Sequence, residues 1–197
     1  KISVEYTDAE ISENITKLIE KNSIRNAYIR ITLSRGEGGS ALQISDGLRS
    51  TILIQVKPFT PYEKGLYEEG MSLAVSGHRR STTSPICRHK TTNLLASILL
   101  KEEARERSVH DSIVLNTDGH VAECIVSNIF MVNNGSVITP SLDTNILPGV
   151  TRKTVLDICQ NSGIPAREES FKIETLIKAK EVFITNSLME IMPVSRV

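Results

Sequence analysis

Apolar residues recur along this chain with two different periods, and the switches between them mark out its elements. From Ala9 to Lys21 the positions Ile11, Ile15, Leu18 and Ile19 fall at helical spacing, which predicts a helix. Ala27 to Leu33 alternates as a strand does, and glycines at 36, 38 and 39 then break the chain. A second strand, Thr51 to Val56, runs into "KPFTPYEKG", whose two prolines and glycine predict a linker. A domain boundary is placed there, giving residues 1–62 and 63–197. Beyond it, Ser72 to Ser76 reads as strand, Thr92 to Arg107 as helix and Ser112 to Leu115 as strand, with "NTDG" a hairpin turn closing on Val121. Ile129 to Val132 and Ser136 to Thr139 flank "NNG", a second hairpin. Gly149 to Gln160 is a helix entered through Val150 and Thr151, Glu174 to Ala179 a shorter one, and Glu181 to Thr185 a strand. Helices and strands mix without regular βαβ spacing, which predicts an α+β fold rather than a doubly wound sheet.

Composition narrows the function classes. The chain has 197 residues, 40% of them hydrophobic, enough for a real core. Its 23 basic and 23 acidic residues cancel, so no net field draws it to nucleic acid or an anionic membrane, and a small-molecule substrate is the expected partner. The cysteines, Cys87, Cys124 and Cys159, are odd in number and widely spaced, which predicts reduced thiols in a cytoplasm and no metal site. No apolar run approaches the roughly 18 residues of a membrane span, and the charged N-terminus lacks a signal peptide's apolar core.

Four stretches hold polar groups where chemistry could sit. Lys90 follows Arg88 and His89 and precedes a helix; neighbouring positive charge favours a neutral, nucleophilic amine, although a solvated lysine is the plainer account. Glu123, in "VAECIVSNIFMV", needs a partner if it is buried and none if it merely ends a strand facing water. "ILPGVTR" sets a glycine, Val150 and Thr151 at a helix start, where free N–H groups form either an anion pocket or an ordinary cap made by Thr151. In "ITNSLMEIMPV", Asn186 and Ser187 follow a strand and either end it or hold the same anion. His110 and His120 lie beside turns and read as surface residues, and Cys124 as a small buried filler.

In this order the four stretches resemble the fold-type IV pyridoxal-phosphate enzymes, the class IV aminotransferase family. That family includes branched-chain and D-amino-acid aminotransferases and aminodeoxychorismate lyases. The likeness rests on Lys90 in "KTTNLLASILLKEEA", Glu123 and Asn128 in "AECIVSNIF", residues 147–152 in "LPGVTR", and "TNSLMEIMPV". It implies a two-domain fold with pyridoxal 5'-phosphate as cofactor, Lys90 as the amine that joins it and carries protons at the substrate carbon, and Glu123 against the pyridine nitrogen. It further implies Leu147 on the ring face, and a phosphate seat made by Gly149, Val150, Thr151, Asn186 and Ser187. A homodimer is implied too, and so are further strands of the smaller domain, with an arginine for the phosphate, before Lys1.

Departures from the pattern sort the members. Branched-chain enzymes place a tyrosine after the asparagine that follows the lysine, where this chain has Leu94 after Asn93. D-amino-acid enzymes carry an Arg-x-His pair beyond an Arg-Gly, whereas Arg35-Gly36 here leads into "EGGSAL". "SLDTNILPGVTR" and "TNSLMEIMPV" are most similar to the lyases, although His89 precedes Lys90 where some lyases have histidine after it. The expectation is a lyase that releases pyruvate from 4-amino-4-deoxychorismate and leaves 4-aminobenzoate for folate synthesis. The alternatives are an aminotransferase for branched-chain or D-amino acids, and a non-catalytic homologue.

Overall fold

The computed structural model of the chain describes residues 2–38 and 43–197. They form two compact units that divide after Pro61. The first unit carries helix α1 (Asp8–Lys21) and an antiparallel pair, β1 (Ala27–Ser34) and β2 (Thr51–Pro58). Thr7 and Glu10 start α1 with reciprocal side-chain-to-backbone hydrogen bonds, Thr7 Oγ1 accepting from Glu10 N at 3.2 Å and Glu10 Oε2 from Thr7 N at 2.8 Å. The glycine at 39 lies outside the described residues.

The second unit is built on an eight-stranded mixed sheet in the order β5-β4-β3-β10-β9-β6-β7-β8. Its strands are β3 (Met71–Arg80), β4 (Asp111–Asn116), β5 (Val121–Cys124), β6 (Asn128–Asn133), β7 (Ser136–Thr139), β8 (Ala166–Glu168), β9 (Glu181–Asn186) and β10 (Glu190–Arg196). The helices are α2 (Lys64–Glu69), α3 (Leu95–Glu106), α4 (Val150–Asn161) and α5 (Ile173–Ile177). This is the α+β arrangement that the pattern predicts.

Strand alternation decides which residues meet. Leu73, Ile113, Val121, Ile129, Met131, Ile184 and Met192 share one core with Phe171 and Leu176. Their odd-and-even neighbours face the other way: Val114 packs with Leu100 and Ala104 of α3, and Phe130 with Val155 and Cys159 of α4. Phe130 and Phe183, directly opposed in register, stack with ring centroids 4.8 Å apart. Glu123 pairs with Val114, and Asn128 lies two residues before Phe130, so both belong to the helix-covered face. Cys124 is fully buried, and burial pushes its thiol well above the ordinary range.

Several boundaries differ from the expected ones. The "KPFTPYEKG" stretch is not all linker: β2 runs through Pro58, and α2 begins at Lys64. The helix after Lys90 starts at Leu95 rather than Thr92, leaving residues 89–94 as irregular chain. Two βαβ units do occur: β3 and β4 are parallel with α3 between them in the chain, and β7 and β8 are parallel with α4 between them. Lys90 therefore sits in the first of these crossovers, between β3 and β4. "NNG" makes the expected hairpin, with positive φ at both Asn134 (49°) and Gly135 (74°).

Candidate active site

The site is organised around one buried carboxylate. Glu123 is the third residue of β5, not a strand end facing water, and it is 7% exposed. One oxygen, Oε1, forms an ion pair with Arg80 at the end of β3. The other, Oε2, accepts from Asn128 Nδ2 and from the Leu147 N–H, each at 3.1 Å. Burial pushes the Glu123 carboxyl above its ordinary range, and the Arg80 guanidinium, the Leu147 N–H and the charge of Lys90 pull it back. A carboxylate with three donors and two cations in reach is a site prepared for negative charge.

Asn128 and Leu147 close a ring of contacts with it. Asn128 Nδ2 also donates to the Leu147 carbonyl at 3.0 Å, so both ends of that residue's backbone are held by side chains. The next turn is pressed onto Asn128: a Cβ built on Gly149 would lie 2.1 Å from Asn128 Oδ1, and Asn128 is tied by its two donations. Only a residue without a side chain fits there. Gly149, rather than Thr151, is the cap of α4, and no side chain covers the helix start. Thr151 stands in the first turn. The open N–H groups of Val150 and Thr151 and the positive end of a twelve-residue helix thus begin three residues from Leu147.

Lys90 is exposed and donates no hydrogen bond among the described residues, yet its charge is felt at Glu123. Asn186 ends β9; its Oδ1 accepts from Leu188 N at 2.9 Å and Met189 N at 3.0 Å, so its acceptor serves the turn into β10. Its Nδ2 reaches the Val126 carbonyl at 3.4 Å. Ser187 is exposed in that turn, and among the described residues no hydrogen bond joins it to Val150 or Thr151. Thr185, opposite Asn128 in register, is buried with its hydroxyl unpartnered.

Arg80 is the site residue that sequence reasoning missed. Ending the strand at Ser76 hid it. The strand runs four residues further, through an irregularity in its ladder with β4 between Val75 and Arg79, and ends on Arg80 beside Glu123.

The donor set fits pyridoxal phosphate: an uncapped helix start, an apolar residue at Leu147, a buried carboxylate bonded to its N–H and a primary amine with no hydrogen bond among the described residues. A mixed α+β sheet carrying these groups defines the fold-type IV architecture. A profile of the class IV amino-transferase family matches residues 1–197, and the chain belongs to that family. It is 34% identical over 202 residues to the aminodeoxychorismate lyase of Bacillus subtilis, covering 100% of this chain and 67% of the relative. It is 31% identical over 191 residues to the branched-chain-amino-acid aminotransferase of Escherichia coli K12, covering 95% and 62%. The crystal structure of the E. coli branched-chain amino acid aminotransferase superposes with a TM-score of 0.90 at 30% identity, over 100% of this chain and 66% of that one. The chain thus spans about two thirds of the length of these relatives.

Proposed function

We propose that the second unit holds pyridoxal 5'-phosphate, and that the protein is an aminodeoxychorismate lyase, splitting 4-amino-4-deoxychorismate into pyruvate and 4-aminobenzoate. The observation that carries the cofactor reading is Glu123, a buried carboxylate paired with Arg80 and within reach of the charge of Lys90. Bound here, the cofactor supplies an aldehyde that captures amines and a ring that takes up electrons. Glu123 keeps a proton on the ring nitrogen, and Leu147 packs on the ring face. The N–H groups of Val150 and Thr151 hold the phosphate, with Asn186 and Ser187 at its rim. Lys90 takes the proton from the amine-bearing carbon of the substrate, a task that suits an amine with no competing hydrogen bond.

The 34% identity to the Bacillus subtilis lyase and Leu94 in place of a tyrosine favour elimination. A second reading, amino transfer, is supported by the 31% identity to the E. coli branched-chain enzyme. A homodimer belongs to the same proposal: Leu95, Ile98 and Leu99 leave an apolar stripe on α3 that is more than 60% exposed at each position.

The two chemistries differ in what they consume. Elimination needs no second substrate, because the atoms of pyruvate and 4-aminobenzoate sum to those of the reactant. Transfer needs an oxo acid to receive the amine. The full-length protein with pyridoxal phosphate, given 4-amino-4-deoxychorismate alone, is expected to release both products in equal amounts while sedimenting at twice its chain mass. Silence in that assay, with glutamate formed from L- or D-amino acids and 2-oxoglutarate, would overturn the lyase reading and leave the cofactor reading in place.

A further inference from the structure

Lys90 lies in a segment with little structure of its own. Residues 81–94 contain a single turn of 3-10 helix, Pro85–Arg88, and have no strand partner. A proton carrier on such a segment needs something to hold it, and one buried side chain does so. Asn145, 2% exposed, accepts from Arg88 Nε at 3.1 Å through Oδ1 and donates through Nδ2 to the Ser81 and Ser84 carbonyls, both at 2.7 Å. The orientation of the amide follows from its partners, since two carbonyls demand the NH2 group and an arginine N–H demands the oxygen. Among the described residues, the other side-chain tie from this segment to the rest of the fold joins Thr82 to Thr117, at 3.1 Å between hydroxyls.

We propose that Asn145 is a positioning residue: it pins the Lys90 segment to the turn that carries Leu147 and Gly149, and so fixes where the Lys90 amine stands relative to the Glu123 carboxylate. Lys90 is two residues past Arg88, a span of at most about 7 Å along the backbone. On the other side, Leu147 is two residues past Asn145, with fully buried Ile146 between them, and is itself clamped by Glu123 and Asn128. One short run of chain therefore touches the lysine segment at one end and the carboxylate at the other. The backbone suits asparagine, because Asn145 has φ 65° and ψ 52°, a left-handed conformation that few side chains other than asparagine tolerate. Aspartate could adopt it but would set one carboxylate oxygen, an acceptor, against both carbonyl oxygens.

This inference rests on the cofactor reading above for its chemistry but not for its geometry, and the two can be tested separately. Asn145→Gly keeps the left-handed backbone and removes the latch. In cofactor-free protein, hydrogen exchange in residues 82–90 is expected to quicken in this variant while β3 and α4 exchange as before. Unchanged exchange would overturn the latch.

With cofactor, pyridoxal phosphate joins Lys90 whereas pyridoxamine phosphate has no aldehyde to offer it. Loosening the segment lowers the effective concentration of the amine, so pyridoxal phosphate should bind about tenfold more weakly with pyridoxamine phosphate unchanged. Equal weakening of both, or of neither, would overturn the positioning role. Arg88→Ala, at an exposed residue, cuts one of the three bonds and should show the same selective effect at smaller size even if the glycine variant folds poorly. Faster exchange together with no Lys90-dependent binding in the wild type would sink the cofactor reading and leave the latch standing.

Discussion

Lys90→Ala is expected to abolish the visible absorbance of bound pyridoxal phosphate and to lower turnover by roughly 10⁴-fold, the upper range for a lost proton-transfer group, with the melting temperature unchanged. The fold does not depend on this side chain. It is exposed, makes no hydrogen bond among the described residues and belongs to no packed cluster, and its charge is the smallest of the influences on Glu123, so its removal costs chemistry far more than stability. Lys101 cannot stand in for it: its Nζ donates to the His110 carbonyl at 3.1 Å and pairs with Asp111 at 3.3 Å. Absorbance spectra, initial rates and a thermal melt on the same preparations check all three parts. A variant that keeps the band and the rate would show that Lys90 is a solvated lysine.

Arg80→Met is expected to cost about 3–5 kcal/mol, which for a chain of this size lowers the melting temperature by on the order of 10 °C. Surface pairs such as Lys17–Glu13 or Lys153–Asp157 are worth a few tenths of a kcal/mol each, because water solvates either partner left alone. Arg80 and Glu123 differ in that their side chains are only 19% and 9% exposed. Without the guanidinium, Glu123 keeps a buried charge with no cation in contact.

The deficit should depend on pH. The Glu123 carboxyl already sits above its ordinary value of 4.5, chiefly through burial, and Arg80 is the largest influence opposing that rise. Removing it moves the carboxyl further up, so the folded variant takes up a proton at a pH where the unfolded chain does not. A raised carboxyl stabilises the folded state most at low pH and loses that contribution as pH rises through its folded value. The variant should therefore lag most near neutrality and recover part of its deficit toward pH ~5. Melts of both proteins across that range decide the matter, since a deficit that does not change with pH would mean the carboxylate is held by something else. A second change, Glu123→Leu, placed on Arg80→Met should restore much of the stability by removing the stranded charge.

The alternation of apolar residues made most of the larger unit legible, because β4, β6, β7 and β9 are runs whose two faces meet different cores. It did not extend to β10, a strand that was not among the expected ones and that contains Pro193. The strand tolerates proline because its parallel ladder with β3 starts one residue later, at Val194, so the missing N–H falls before that pairing. Glu123 and the bare glycine at the start of α4 were visible as odd residues for their places. Arg80 and Asn145 were not, since their importance lies in partners 43 residues away and 57–64 residues away. A polar residue in a loop shows nothing along the chain of what it will reach across the fold.

The loading of the Glu123 carboxylate carries a consequence for ligand choice. Each oxygen of an ionised carboxylate has two lone pairs. Oε2 spends both, on Asn128 and Leu147, while Oε1 spends one on Arg80. In its ionised form the carboxylate then has one acceptor position left. On the cofactor reading proposed above, that position takes one donor: a protonated ring nitrogen satisfies it, whereas a ring presenting an oxygen there, such as a pyridine N-oxide, would set two acceptors against each other and is expected to bind more weakly.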